Sequence, residues 1–305
     1  MTETQTPERL ADSPLLFIAS DIDATFIDHA TYSYEAAKPT FDRALESGAA
    51  IHFISSKTLA EMIPLQQELG ILGKQSLSGE NGSVSLIPVD YYDEKVAEEL
   101  PGVLNIREYS IGNNTFMAIE YARPISQALA ALDETTYEAG LHEEQVETIT
   151  RMSPERFSEL TGLTVEEAKR GQIREYQEGF LLHVGETERA EALAQVRKGI
   201  ESKGFNFGAG GRFFSISGGG EKGKAVSNVI KFYERRHSSG IYSVGLGDGL
   251  SDISFLSVCD RGVLVRNPKK SVNFDVPEGI ETIDEVGPEG WAKIVSEILD
   301  SRSHP

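Results

Sequence analysis

The sequence predicts an α/β protein whose parallel-sheet core is interrupted by an inserted α+β domain. Two observations carry this. Short apolar runs alternate with helical spacing near both ends of the chain. Between them, residues 88–210 change to acidic helical stretches with short strand candidates. The 305 residues suffice for one large domain or two ordinary ones. Residues 1–13 are polar and are expected to form a flexible tail.

Taken in order, residues 15–20 form a continuous apolar run that fits a buried parallel strand. Residues 34–47 have helical spacing, and Gly48 stops them. Residues 51–54 read as a second strand, 58–69 as a helix stopped by Gly70, and 84–87 as a third strand. This order implies a parallel sheet with right-handed crossovers. In the insertion, helices are expected at 92–100, 126–137, 153–160, 164–172 and 188–203, with strands at 115–121 and 179–184. After it come strands at 213–217, 241–246 and 263–265, and helices at 225–235 and 291–299. The core is therefore assigned to 14–87 and 211–305, and the insertion to 88–210.

Composition excludes several function classes. A net charge of −19 argues against nucleic acid, whose phosphates need a basic face, and disfavours anionic membranes. The first residues lack the basic and apolar regions of a signal peptide, and no stretch reaches membrane-spanning length, so a cytoplasmic protein is expected. One cysteine, Cys259, rules out an internal disulfide and fits a reducing compartment. The partners expected are a small anionic substrate and at most further copies of the same chain.

Four polar signals fall at comparable places. Asp21 and Asp23 follow the first strand, with Thr25 beyond them; Ser55 follows the second strand; Lys222 precedes a helix; and Asp248 and Asp252 follow the strand at 241–246. Ligands bind at the carboxyl ends of strands in open α/β sheets. If the strands are parallel neighbours, these groups converge on one edge. Crowded carboxylates repel unless a cation sits between them, and an all-oxygen set suits magnesium. The set reads as a phosphoryl-transfer site. Asp21 attacks phosphorus, and Asp23 protonates the leaving alcohol and then activates water. Ser55 and Lys222 hold phosphoryl oxygens, and Asp21, Asp23, Asp248 and Asp252 hold Mg2+.

In order and spacing these motifs resemble the haloacid dehalogenase superfamily of phosphohydrolases, over nearly the whole chain beyond the tail. The resemblance implies a Rossmann-like core, and the insertion looks like the superfamily's large α+β cap. Ala24 stands where many members carry glycine, and Ser251 where asparagine is commoner. Within the superfamily, five runs are similar to the mannosyl-3-phosphoglycerate phosphatases: Ser55-Ser56-Lys57-Thr58, Glu80-Asn81-Gly82, Gly210-Gly211-Arg212-Phe213, Glu221-Lys222-Gly223-Lys224-Ala225 and Gly287-Pro288-Glu289-Gly290-Trp291. That similarity implies magnesium-dependent hydrolysis of mannosyl-3-phosphoglycerate, releasing a compatible solute. Thr25, Ser56, Lys57, Asn81, Arg174 and Arg212 are then the candidate substrate contacts. A related sugar phosphatase (for glucosyl-3-phosphoglycerate, sucrose phosphate or a hexose phosphate) and a non-catalytic phosphosugar-binding protein are the alternatives.

Two nucleotide-like signals do not hold. Gly218-x-x-x-x-Gly223-Lys224 ends in Ala225, so it lacks the metal-binding hydroxyl of a P-loop, and Gly245-x-Gly247 lacks the third glycine of a dinucleotide fingerprint.

Overall fold

The computed structural model describes residues 13–210, 212–269 and 274–303; all but the last residue of the expected tail lies outside them. Contacts divide the chain into two compact units. The first takes in the described residues up to Phe53, Val89–Leu100 and those from Val226 on; the second takes in Ile54–Pro88 and Pro101–Ala225. The sequence boundaries at 87/88 and 210/211 rest on composition, whereas this division follows where the chain packs most densely on itself.

The first unit is built on parallel strands in the order Ile280–Val286, Arg261–Arg266, Ile241–Gly247, Leu15–Ser20, Ala50–Ile54. Leu15 pairs with Ile241 and Ser20 with Leu246, so the two central strands end together. The expected α/β class and parallel core are borne out. The Leu15–Ser20 strand is almost wholly buried, as its unbroken apolar run requires. Helix Lys38–Glu46 packs on helix Glu289–Ser303, with Thr40 beside Ser296 and Arg43 paired with Asp300. It starts later than the predicted 34–47 because Pro39 favours the first helical turn. Phe26 centres an aromatic cluster, with its ring 4.8 Å from Phe53, 5.4 Å from Phe41 and 5.2 Å from Trp291, which it meets edge-on.

The second unit is antiparallel. One set of strands runs Leu77–Gly79, Val84–Pro88, Asn114–Glu120, Asn105–Ile111; another runs Asn206–Gly210, Phe213–Gly219, Gln177–Leu182, Val146–Thr148. Helices Ile125–Glu138 and Glu186–Ser202 contribute Ala128, Leu132, Val196 and Ile200 to a core with Phe180 and Ile216 from the sheet.

One expectation is corrected here. The third strand, read as parallel, is antiparallel to both Leu77–Gly79 and Asn114–Glu120. Only four residues separate Gly79 from Val84, far too few for a parallel crossover. Glu80, Asn81 and Gly82 all take positive φ (48°, 57° and 78°) and turn the chain back at once. No helix among the described residues is long and apolar enough to cross a membrane.

Phe26 is fully buried beneath the loop that carries Asp21 and Asp23. Phe26→Ala is expected to cost about 3–5 kcal/mol of stability, measured as a lowered midpoint in chemical denaturation.

Candidate active site

The site begins where two strands stop. The Asp21 N–H donates to Leu246 O at 2.9 Å, extending the ladder by one residue past the strand. Asp248 directly follows the neighbouring strand, which ends at Gly247. Carboxylate oxygens of Asp21, Asp248 and Asp252 lie within 4.8 Å of one another, and all three residues are buried. Asp252 closes the short turn Leu250–Asp252 onto this group. Its Oδ2 accepts the N–H groups of Asp248 and Gly249, each at 3.0 Å. Gly247 is required by that closeness: a Cβ there would stand 2.5 Å from Asp252 Cβ. A buried, all-carboxylate donor set fits a hard divalent cation such as Mg2+ and fits soft metals poorly.

The loop after Asp21 is wound on one carbonyl. Ile22 O accepts from the N–H groups of Phe26 at 3.0 Å and Ile27 at 2.9 Å, and Asp23 bridges to Ile27. Ala24 sits at φ 60°, the left-handed conformation for which glycine is the usual choice. Asp23 is half-buried and stands outside the three-carboxylate group, although the sequence reading included it among the metal ligands. The Thr25 side chain is fully buried, and its Oγ1 has no hydrogen-bond partner among the described residues. The run from Gly287 to Trp291 backs this loop. A Cβ on Gly287 would lie 2.5 Å from Ala24 O. Trp291 Nε1 donates to Ser20 Oγ at 3.1 Å, and that hydroxyl donates to Asp21 O at 2.7 Å.

Asn267 escaped the sequence reading. Its Nδ2 donates to Asp248 Oδ2, and both residues are buried. The available signal was positional: Asn267 directly follows the strand Arg261–Arg266, neighbour of the strand that ends before Asp248.

The remaining candidates belong to the second unit. Ser55 is buried; its N–H donates to Ser78 O at 3.0 Å and its Oγ accepts the Lys57 N–H at 3.2 Å. Ser56 is exposed and Lys57 half-buried. Glu80 N donates to Lys57 O, and Asn81 N to Ser55 O, each at 2.8 Å, so the two loops are zipped together. Asn81 Nδ2 reaches Gln177 Oε1 at 2.8 Å. The buried Glu80 carboxylate accepts three consecutive N–H groups, from Glu175 (2.9 Å), Tyr176 (3.0 Å) and Gln177 (2.7 Å). Burial pushes its carboxyl up, against the pull of Arg174 and of those donors. Burial also raises Glu178, against Thr150 and Arg174. Arg174 is thus a counter-charge to two buried carboxylates. Lys222 opens the helix Lys222–Arg236 and is buried, and a Cβ on Gly82 would press 2.7 Å from Glu221 O. That contact leaves no room for a side chain at position 82, so the Glu80-Asn81-Gly82 turn lies directly against the residue before Lys222. Arg212 is exposed, in the turn between Asn206–Gly210 and Phe213–Gly219. Its neighbour Gly211, in the run of residues read for Arg212, lies outside the described residues.

Residues 18–285 match the family of haloacid dehalogenase-like hydrolases. The chain belongs to this family. Among its curated relatives is a glucosyl-3-phosphoglycerate/mannosyl-3-phosphoglycerate phosphatase of Methanococcoides burtonii, 30% identical over 94% of this chain and 98% of the relative. A protein of the same description from Persephonella marina is 27% identical over 93% and 97%. In fold the chain is similar to a haloacid dehalogenase-like hydrolase of Bacteroides thetaiotaomicron, with a TM-score of 0.61 at 16% identity over 93% of this chain and 99% of that one. The chain itself is thereby a phosphoric monoester hydrolase.

Gly247→Ala is expected to displace Asp252 and break its two backbone contacts. The expected result is at least a tenfold weaker Mg2+ response, read as the metal-dependent rise in melting temperature, with the metal-free protein still folded.

Proposed function

We propose that the chain is a magnesium-dependent phosphatase that hydrolyses mannosyl-3-phosphoglycerate, and its glucosyl counterpart, to the glycosylglycerate and phosphate. The observation that carries the chemistry is the group of three buried carboxylates at the ends of adjacent parallel strands. The substrate follows from the two relatives whose descriptions name these compounds.

In this reading Asp21, Asp248 and Asp252 would hold Mg2+, which when bound would supply charge neutralisation to the phosphoryl group. An Asp21 carboxylate oxygen attacks phosphorus, and the phosphorus–oxygen bond to the glycerate breaks. Asp23 gives its proton to the departing alkoxide. Water then attacks the aspartyl phosphate, Asp23 takes the water proton, and the bond from Asp21 to phosphorus breaks to release phosphate. Asp23 stands outside the clustered carboxylates, which suits a proton carrier better than a ligand. The unpartnered hydroxyl of Thr25 offers a donor to a phosphoryl oxygen. Ser55 and Lys222 are assigned to phosphoryl oxygens from the order of the motifs. The cations that meet the glycerate carboxylate are assigned to Arg212 and Lys57, with Ser56 next to Lys57 in sequence and Asn81 tied to that loop through Ser55 O. Arg174 is the weaker assignment, because Glu80 and Glu178 already draw on its charge. The single cysteine and the acidic composition support a cytoplasmic enzyme with a small-molecule substrate.

Asp21→Asn should abolish phosphate release while leaving the melting temperature near that of the parent, because an amide is no nucleophile toward phosphorus. Excess chelator should also abolish turnover, and added Mg2+ should restore it. Full activity in either case would reject the mechanism. A phosphate-release panel tests the substrate by comparing mannosyl- and glucosyl-3-phosphoglycerate with sucrose 6-phosphate, hexose phosphates and an aryl phosphate. Arg212→Ala should lower kcat/KM for the glycosyl phosphoglycerates at least tenfold more than for the aryl phosphate. A preference for hexose phosphates would overturn the substrate and leave the phosphatase chemistry standing.

A further inference from the structure

We infer that Asn267 is the positioning residue that orients Asp248 as a metal ligand, an inference that rests on the magnesium-dependent reading above. Asp252 accepts the Asp248 N–H through Oδ2, a contact that places the Asp248 main chain. Asn267 acts on the carboxylate itself, with Nδ2 donating to Oδ2. Its amide has a defined sense, because Oδ1 accepts the Lys269 N–H at 2.9 Å. Flipping the amide would set oxygen against the carboxylate and an NH2 against an N–H, losing both bonds. The donor is therefore locked in place before any cation arrives.

The residue type matters as much as the geometry. Three carboxylates already crowd this place, so a fourth acid at 267 would add repulsion. A lysine or arginine would neutralise Asp248 and compete with the cation. A neutral donor does neither: it holds one oxygen and leaves the negative charge for the metal. The sheet brings it there. Arg261–Arg266 pairs in parallel with Ile241–Gly247, Gly247 opposite Leu264, so both strands end facing the same space. Ser251, the residue where asparagine is common in the superfamily, is exposed. At this site a buried asparagine, Asn267, comes instead from the residue after the next strand.

The test is Mg2+ binding by calorimetry to the substrate-free protein, comparing the parent with Asn267→Ala and Asn267→Leu. Leucine keeps the shape and removes the donor, so it guards against a cavity effect in the alanine variant. Loss of a side chain that orients a metal ligand typically weakens affinity about 10- to 100-fold, and that rise in Kd is expected for both variants. The Mg2+ concentration for half-maximal activity should rise in parallel, while kcat at saturating Mg2+ and KM for the phosphoester stay within about threefold of the parent. The metal-free melting temperature reports folding separately. An unchanged Kd in either folded variant overturns the inference, as does a fall in kcat at saturating metal without a change in Kd. A parent protein that binds no Mg2+ would instead reject the metal-dependent reading.

Discussion

Crowding of like charge is the constraint on which the candidate site depends. Three aspartates with oxygens within 4.8 Å of one another are held in buried positions. At an effective dielectric of about 20, two unit charges at that distance repel by roughly 3 kcal/mol. The surrounding protein lowers this cost with neutral donors. Asp252 draws in two backbone N–H groups, and Asp248 takes the amide of Asn267. These neutral donors fix positions and add no positive charge, and the three carboxylates remain a group that could hold a metal ion.

Holding the carboxylates so close requires backbone to pass where side chains would not fit. Gly247 is glycine because Asp252 occupies the space of its Cβ, and Gly287 because Ala24 O does. Ala24 keeps a left-handed conformation that glycine would adopt more easily, at a cost of roughly 1 kcal/mol. Its methyl is buried, which offsets part of that cost. The Ser20 hydroxyl, held between the Trp291 indole and the Asp21 carbonyl, ties this loop to the aromatic cluster around Phe26. Stability of the core and placement of the nucleophile candidate thus share the same residues.

In the second unit the organising element is the Glu80 carboxylate. It caps three successive N–H groups at the start of the Gln177–Leu182 strand, while its own backbone N–H is bound by Lys57 O. A buried acid satisfied in this way specifies one arrangement of two loops, because any slip would leave several polar groups unpaired. This gives the Glu80-Asn81-Gly82 run a structural reason for its composition, separate from substrate contact.

The sequence by itself determined the α/β class and the parallel core, because apolar runs such as 15–20 and 241–246 have too few polar positions for a strand with a wet face. It also led to the expectation that Asp21, Asp23, Asp248 and Asp252 gather at strand ends, and Asp21, Asp248 and Asp252 do lie together while Asp23 stands outside the group. Strands such as Asn105–Ile111 and Ile280–Val286 were not legible, because their apolar residues are spaced among charges and only pairing with a neighbour makes them strands. The direction of Val84–Pro88 was decided by three positive-φ residues in the preceding turn, a backbone property that hydrophobic pattern does not encode. Tertiary structure alone decided the roles of Asn267 and of Arg174. The first acquires its partner through the alignment of two strand ends, the second from two carboxylates distant in sequence or buried beside it. Local sequence sets which groups can ionise or donate; only folding sets which of them face each other.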